Sequence, residues 1–200
     1  MDLVDLINTR RFLGNEFLLW LWFKSECFEA QLHTEEHDTL EVWIDDALTL
    51  EAYLAETERN TISGGSPAYS PEAKTALRHG KRPTKAKLGV VKEGREWSFN
   101  LKAEDLSFSG VKIPALLSRE EEEQFYERMF LLEELEQIVG TLYKEFLAIR
   151  LDVHAWSTLM LPALKDWVQR DEVCTPEHYP SAPLKERLGL VTHPHLAAGA

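Results

Sequence analysis

Thr84-Lys85-Ala86-Lys87-Leu88-Gly89-Val90-Val91 is followed by Lys92-Glu93-Gly94-Arg95 and then by Glu96-Trp97-Ser98-Phe99-Asn100-Leu101-Lys102. Side chains of a strand alternate between two faces, so a period of two marks a strand with one buried side. Thr84, Ala86, Leu88 and Val90 fall on one face, and Lys85 and Lys87 on the other. After the turn at Lys92-Glu93-Gly94-Arg95, Trp97, Phe99 and Leu101 repeat the pattern against Ser98, Asn100 and Lys102. The stretch is expected to form a hairpin with an apolar face and a cationic face.

The flanks extend this reading. Upstream, Phe28, Ala30 and Leu32 alternate with polar residues, as do Leu40, Val42 and Ile44, predicting a second hairpin that turns through Thr34–Asp38. A short aromatic helix is expected over 14–24 with Asn15 as its cap, and another short helix over 47–58. Ser63-Gly64-Gly65-Ser66-Pro67 reads as a loop. Ser70-Pro71-Glu72 reads as a helix start and Gly80 as its stop, so Lys74 and Arg78, four apart, share a face. Downstream, Phe108–Ile113 suits a short strand. Ser118-Arg119-Glu120-Glu121 has the form of a capping box. Phe125, Met129, Leu132, Leu135, Val139, Leu142, Phe146 and Ile149 then recur at helical spacing. A further helix is expected at about 153–169, with Trp156, Leu159, Met160, Leu164 and Trp167 on its apolar side.

These elements predict an α+β fold: small antiparallel hairpin sheets with a short aromatic helix, then a long C-terminal helical hairpin. The expected organisation is an α+β domain over 1–115, a helical region over 116–172 packing on it, and an irregular tail over 173–200. A chain of 200 residues can bury a core without metal or disulfide support. Cys27 and Cys174 stand outside any CxxC or Cys/His pattern and suit a reducing cytoplasm. No signal peptide is read at Met1-Asp2-Leu3. The longest apolar run, Phe17–Phe23, is far short of the roughly 20 residues that span a membrane.

The formal net charge is −12, which by itself disfavours phosphate partners. The bases are unevenly placed, however. Residues 74–95 hold Lys74, Arg78, Lys81, Arg82, Lys85, Lys87, Lys92 and Arg95 against Glu93 alone, leaving 14 bases and 33 acids elsewhere. Cations about 6–7 Å apart along one strand face can meet successive phosphates and bind without reading bases. The candidate DNA-binding residues are Lys81, Arg82, Lys85, Lys87, Arg78 and Lys74.

Other chemistry-bearing patterns have plainer readings. His33-Thr34-Glu35-Glu36-His37 matches H-x-x-E-H, in which His33 and His37 would hold zinc and Glu36 would activate water. That arrangement needs a helix, and here it falls between two alternating segments, so a solvated turn is expected and no metal or other cofactor. His193-Pro194-His195 belongs to the expected irregular tail. Glu120–Glu123 suit the positive end of a helix dipole. Trp20, Trp22 and Phe23 suit a base-stacking platform, but a helix apolar all round is expected to be core. Phosphate loops, nucleophile elbows and paired catalytic carboxylates are not recognisable, and the chain reads as a non-enzyme.

Three stretches, in the same order, resemble segments of the recombination-associated RdgC proteins. Phe12-Leu13-Gly14-Asn15-Glu16-Phe17-Leu18-Leu19-Trp20-Leu21-Trp22 resembles their "LGxxFLxWLW" segment. Gly80-Lys81 with Thr84-Lys85-Ala86-Lys87-Leu88 resembles "GKxVTKLAL". Met129-Phe130-Leu131-Leu132-Glu133-Glu134-Leu135 resembles "LMxxELxxL". The resemblance spans about residues 11–150, and a further amino-terminal portion of the family is missing here. It implies an α+β fold, a dimeric ring on duplex DNA, binding without sequence specificity, and limitation of the recombinase filament. Lys81, Lys85 and Lys87 carry over as DNA-facing, while Arg82 is added on charge alone. A homodimer, a recombinase partner and nucleoid association follow from the same resemblance, while the cytoplasmic location is expected from the cysteines and the lack of a signal peptide or membrane span. The competing expectation is an acidic protein–protein interaction module without DNA binding, and a remoter one is the zinc hydrolase.

Overall fold

Glu93 and Gly94 turn the chain at φ values of 52° and 75°, the paired left-handed conformation of a two-residue hairpin. Gly94 accepts it without penalty. The turn sets Lys92 opposite Arg95 and fixes the register between β4 (Lys81–Lys92) and β5 (Arg95–Lys102) down to Lys85 opposite Lys102. Ala86, Leu88, Val90, Trp97, Phe99 and Leu101 are buried, as the alternation predicts. Thr84 departs from the pattern. A register shift beside Pro83 leaves Thr84 half-buried, and Pro83 takes the buried position instead.

The computed structural model describes residues 3–28, 30–32, 40–52, 59–64 and 70–171, with backbone alone over 3–12 and at Gln31. The protein is α+β. The expected separate hairpins merge into one antiparallel six-stranded sheet. Its order is β1 (Gln31–Leu32), β2 (Leu40–Ala52), β4, β5 and β6 (Phe108–Lys112), and β3 (Arg59–Ser63) pairs with the far half of β2. The hairpin of β1 and β2 forms with Leu32 opposite Leu40. The helix expected over 47–58 is corrected: 47–52 continue β2 and 59–63 are β3, with 53–58 outside the described residues. An irregularity between Ile44 and Leu48 shifts the phase of β2, so Leu48, Thr49 and Leu50 are all buried and the period of two is lost.

The aromatic helix is longer than expected. Helix α1 runs Leu3–Cys27, so Asn15 is no cap. It is buried inside the helix and donates to Pro83 O at 2.7 Å, tying α1 to β4. Gly14 lies against the backbone of Ala103, where a Cβ would come within 1.7 Å of the carbonyl oxygen. Phe17, Trp20, Trp22 and Phe23 are core. Helix α2 (Pro71–Arg78) starts and stops where predicted, with Gly80 at φ 80° donating to Leu77 O. The Ser70 hydroxyl bonds the Glu72 carboxylate instead of capping the helix.

Helix α3 (Glu121–Leu151) begins two residues later than the capping box implies, and Ser118 is not its cap. Instead the Glu127 carboxylate reaches back and accepts the backbone N–H groups of Leu117 and Ser118 at 2.8 and 2.9 Å. Leu135, Val139, Leu142, Phe146 and Ile149 are buried as expected, whereas Phe125, Met129 and Leu132 are exposed. Asp152 ends α3 and caps the next helix through the N–H groups of His154 and Ala155. That helix is a π-helical stretch, Ala155–Met160, leading into α4 (Leu161–Gln169). Trp156, Met160, Leu164 and Trp167 face the core. Cys27 is buried and disulfide-bonded, which corrects the reading of unpaired thiols and removes the cysteine argument for a reducing compartment. Cys174, the tail and His33–His37 lie outside the described residues. No helix among the described residues is long and apolar enough to cross a membrane.

Two glycines of the same residue type should respond oppositely to a methyl group. Gly14→Ala forces α1 off Ala103 and should cost about 1–3 kcal/mol or more. Gly140→Ala, in α3 with nothing within 4 Å, should be neutral or stabilise by about 0.5–1 kcal/mol. Urea unfolding of both variants checks the pair. A second expectation concerns pH. The N–H groups of Leu117, then Ser118, hold the Glu127 carboxyl below its ordinary 4.5. A lowered native value means that this contact is complete above the ordinary value and is lost as pH falls through the native one. Amide exchange at Leu117 and Ser118, corrected for intrinsic rate, should therefore quicken on acidification below 4.5. In Glu127→Ala the same amides should be unprotected already at neutral pH.

Candidate nucleic-acid interface

The basic run divides into cations held by the fold and cations gathered at one edge of the sheet. Lys74 belongs to the first group. It is buried, its Nζ lies 2.7 Å from Glu26 Oε1, and it sits over the Trp167 ring at 4.9 Å. Arg78 closes the C-terminal end of α4: its guanidinium donates to Val168 O, Gln169 O and Arg170 O and pairs with Asp171 at 2.7 Å. Carbonyls at a helix end lack intrahelical partners, and a cation there is favourable. Lys87 bridges Asp45 and Asp46 at 3.0 Å each, and these hydrogen bonds, Asp45's first, hold its ammonium above the ordinary 10.5. Lys92 and Arg95 both grip Glu134 at 2.6–2.9 Å, seating α3 on the hairpin turn.

The second group lies where β2, β3, β4 and β5 end beside α1. Arg82 and Lys85, with Arg59 and Lys102, line a cleft of about 510 Å³ with Asn15, Glu51, Ala52, Thr84, Ala103 and Glu104. Its geometry follows from strand register. Glu51 stands opposite both Arg59 and Arg82, and Arg59 Nε lies 3.5 Å from Glu51 Oε1. Lys85 stands opposite Lys102. Lys81 lies at the same end of β4, with its Nζ 3.1 Å from Asn60 Oδ1. Among the described residues, four cations therefore meet two carboxylates in the cleft, and none of the lining side chains is aromatic.

Of the six sequence candidates, Arg82 and Lys85 share the cleft and Lys81 is beside it. Lys74 and Arg78 point into the body, and Lys87 is held by two aspartates. Sequence reasoning missed Arg59 and Lys102. Lys102 was legible: a two-residue turn at Glu93-Gly94 makes Lys85 and Lys102 partners by counting. Arg59 lay beyond the stretch expected to be helical, and no local signal marks it. Trp20, Trp22 and Phe23 are core and offer no stacking surface. No protein-family model matches the chain, and no curated protein does. The resemblance to RdgC proteins rests on the three stretches quoted above.

Stability should separate the two groups. Lys74→Met strands the Glu26 carboxylate, whose second oxygen already lacks a partner, and should cost about 3–5 kcal/mol. Lys85→Met removes one of two opposed cations and should be neutral or mildly stabilising, within about 1 kcal/mol. Denaturant midpoints of the two variants decide it.

Proposed function

We propose that the protein binds the backbone of duplex DNA without reading its sequence, through the cleft formed by Arg59, Arg82, Lys85 and Lys102. One observation carries this reading. Lys85 and Lys102 face each other across neighbouring strands, and like charges in that position destabilise a sheet. An anion between them removes the repulsion, and Arg59 and Arg82 extend the positive surface across the strand ends. A cleft whose described lining holds four cations and no ring suits phosphates better than bases. The acidic remainder of the chain limits binding to this edge.

The resemblance to RdgC proteins supports the same reading through Lys81 and Lys85. With it goes a wider role: a recombination-associated, non-enzymatic protein of the nucleoid that acts as a homodimer and limits a recombinase filament. The cleft replaces the original strand-face site. Lys87 is expected to contribute little because Asp45 and Asp46 already neutralise it.

The test is a titration of unrelated duplexes across salt. Four neutralised phosphates give a log–log slope of about −3.6. Lys85→Ala or Lys102→Ala should weaken all duplexes alike and flatten the slope by about one. Glu104→Gln should tighten binding. No duplex affinity at low salt, or full affinity in a Lys85→Glu/Lys102→Glu variant that remains folded, would sink the proposal. Large differences between duplexes would indicate base readout instead.

A further inference from the structure

The second and third turns of α3, Phe125–Leu132, are apolar on the side turned away from the protein. Leu131, Leu135, Ile138, Leu142 and Phe146 face the core. At 3.6 residues per turn, Leu132, Phe125, Met129, Tyr126 and Phe130 occupy an arc of roughly 160° on the other side. Phe125, Tyr126 and Phe130 are each about 60% exposed, and Leu117, just before the helix, is 90% exposed. Exposed apolar patches of roughly a few hundred Å² mark interaction sites. Just beyond it the outer side of α3 carries Glu133, Glu136 and Gln137, all exposed, so the patch is bounded there by polar residues.

The ends of the patch specify what covers it. Glu122 lies on the same arc one turn before it, and Glu133 and Glu136 lie on that arc just after it; all three are exposed. An apolar stripe about 10 Å long, closed by carboxylates at both ends, complements a helix with apolar anchors and basic ends. It does not complement the other ready occupants. A second copy laid antiparallel brings Glu122 against Glu136, and like charges across an interface oppose pairing. Nucleic acid and anionic lipid bring phosphates to the same carboxylates.

We infer that the outer face of α3, residues 117–136, docks a cationic amphipathic helix of another protein, with Phe125, Met129 and Phe130 as anchors and Glu122, Glu133 and Glu136 as charge partners. This is helix-on-helix recognition read through anchors at helical spacing. It uses a surface separate from the cationic cleft and does not depend on DNA binding.

The experiment uses the full chain and three synthetic peptides of roughly 18 residues, about five helical turns. One carries a leucine stripe with lysines at both ends, the second has the same stripe with glutamates, and the third scrambles the first. The lysine peptide should bind at least about tenfold more tightly than the other two, and Phe125→Ser/Phe130→Ser should remove at least about tenfold of that affinity. A Glu122→Lys/Glu133→Lys/Glu136→Lys variant should transfer the preference to the glutamate peptide. All replaced residues are exposed, so circular dichroism should show each variant folded, and duplex affinity through the cleft should survive in the serine variant. Equal binding of the lysine and scrambled peptides, no binding at all, or an unchanged preference after charge reversal overturns the inference. A dimer mass that falls to monomer in the serine variant overturns it in favour of a second copy.

Discussion

Helix α1 from Leu18 to Cys27 is buried almost all round, with only Leu19 half-buried. An apolar helix of that kind cannot lie on a surface; it must be covered on every side. The sheet covers one side through Ala86, Leu88, Val90, Trp97, Phe99 and Leu101. The C-terminal helices cover another, where Phe17 meets Tyr143 and Phe146, and Trp22 and Phe23 meet Trp167 edge-on at 5.2 and 5.7 Å. Segments from both ends of the sequence are thereby joined in one continuous core. The close approaches at Gly14 and Asn15 set the height of α1 against β4 and β5, and hence the position of the strand ends that form the cleft.

Ion pairs then anchor the covering elements at their edges. Lys74–Glu26 links α2 to α1, Arg150–Glu16 links α3 to α1, and Glu134 holds the hairpin turn through Lys92 and Arg95. A buried pair of this sort contributes little net stability compared with apolar residues of the same shape, but losing one partner is costly. These pairs therefore fix which elements meet more than how strongly the chain folds. They also use up much of the basic run, which is why its charge in the sequence exceeds the charge it presents.

Local patterning was legible where one rule acted alone. The hairpin of β4 and β5, the start and stop of α2, and the buried stripe from Leu135 to Ile149 follow from alternation, turn chemistry and helical period. Reading failed where a second constraint intervened. The phase shift in β2 buries three consecutive residues and made a strand look helical. Asn15 resembled a cap because its side chain is polar, but its partner is Pro83, 68 positions away. The apolar period of α3 runs on through Phe125, Met129 and Leu132, and periodicity cannot say whether the chain itself supplies a surface for them. The fate of each lysine was likewise hidden, because Glu26, Asp45, Asp46 and Glu134 are its neighbours only in space.

Net charge is for this reason a weak guide to what the molecule binds. A chain at −12 that neutralised its bases evenly would repel every polyanion. Here internal pairs hold charges where elements join, and the other charges of the chain are segregated. Arg59, Arg82, Lys85 and Lys102 gather at the strand ends, and Glu120–Glu123, Glu133 and Glu136 gather along α3. Charges separated by more than about 10 Å are largely screened at 0.1 M salt. A charge placed in the cleft would therefore feel chiefly the cations and carboxylates that line it, and one placed on the outer face of α3 chiefly the glutamates there. Segregation gives one acidic protein two surfaces of opposite charge, and the strand register and helix phase that create them are set by the core around α1.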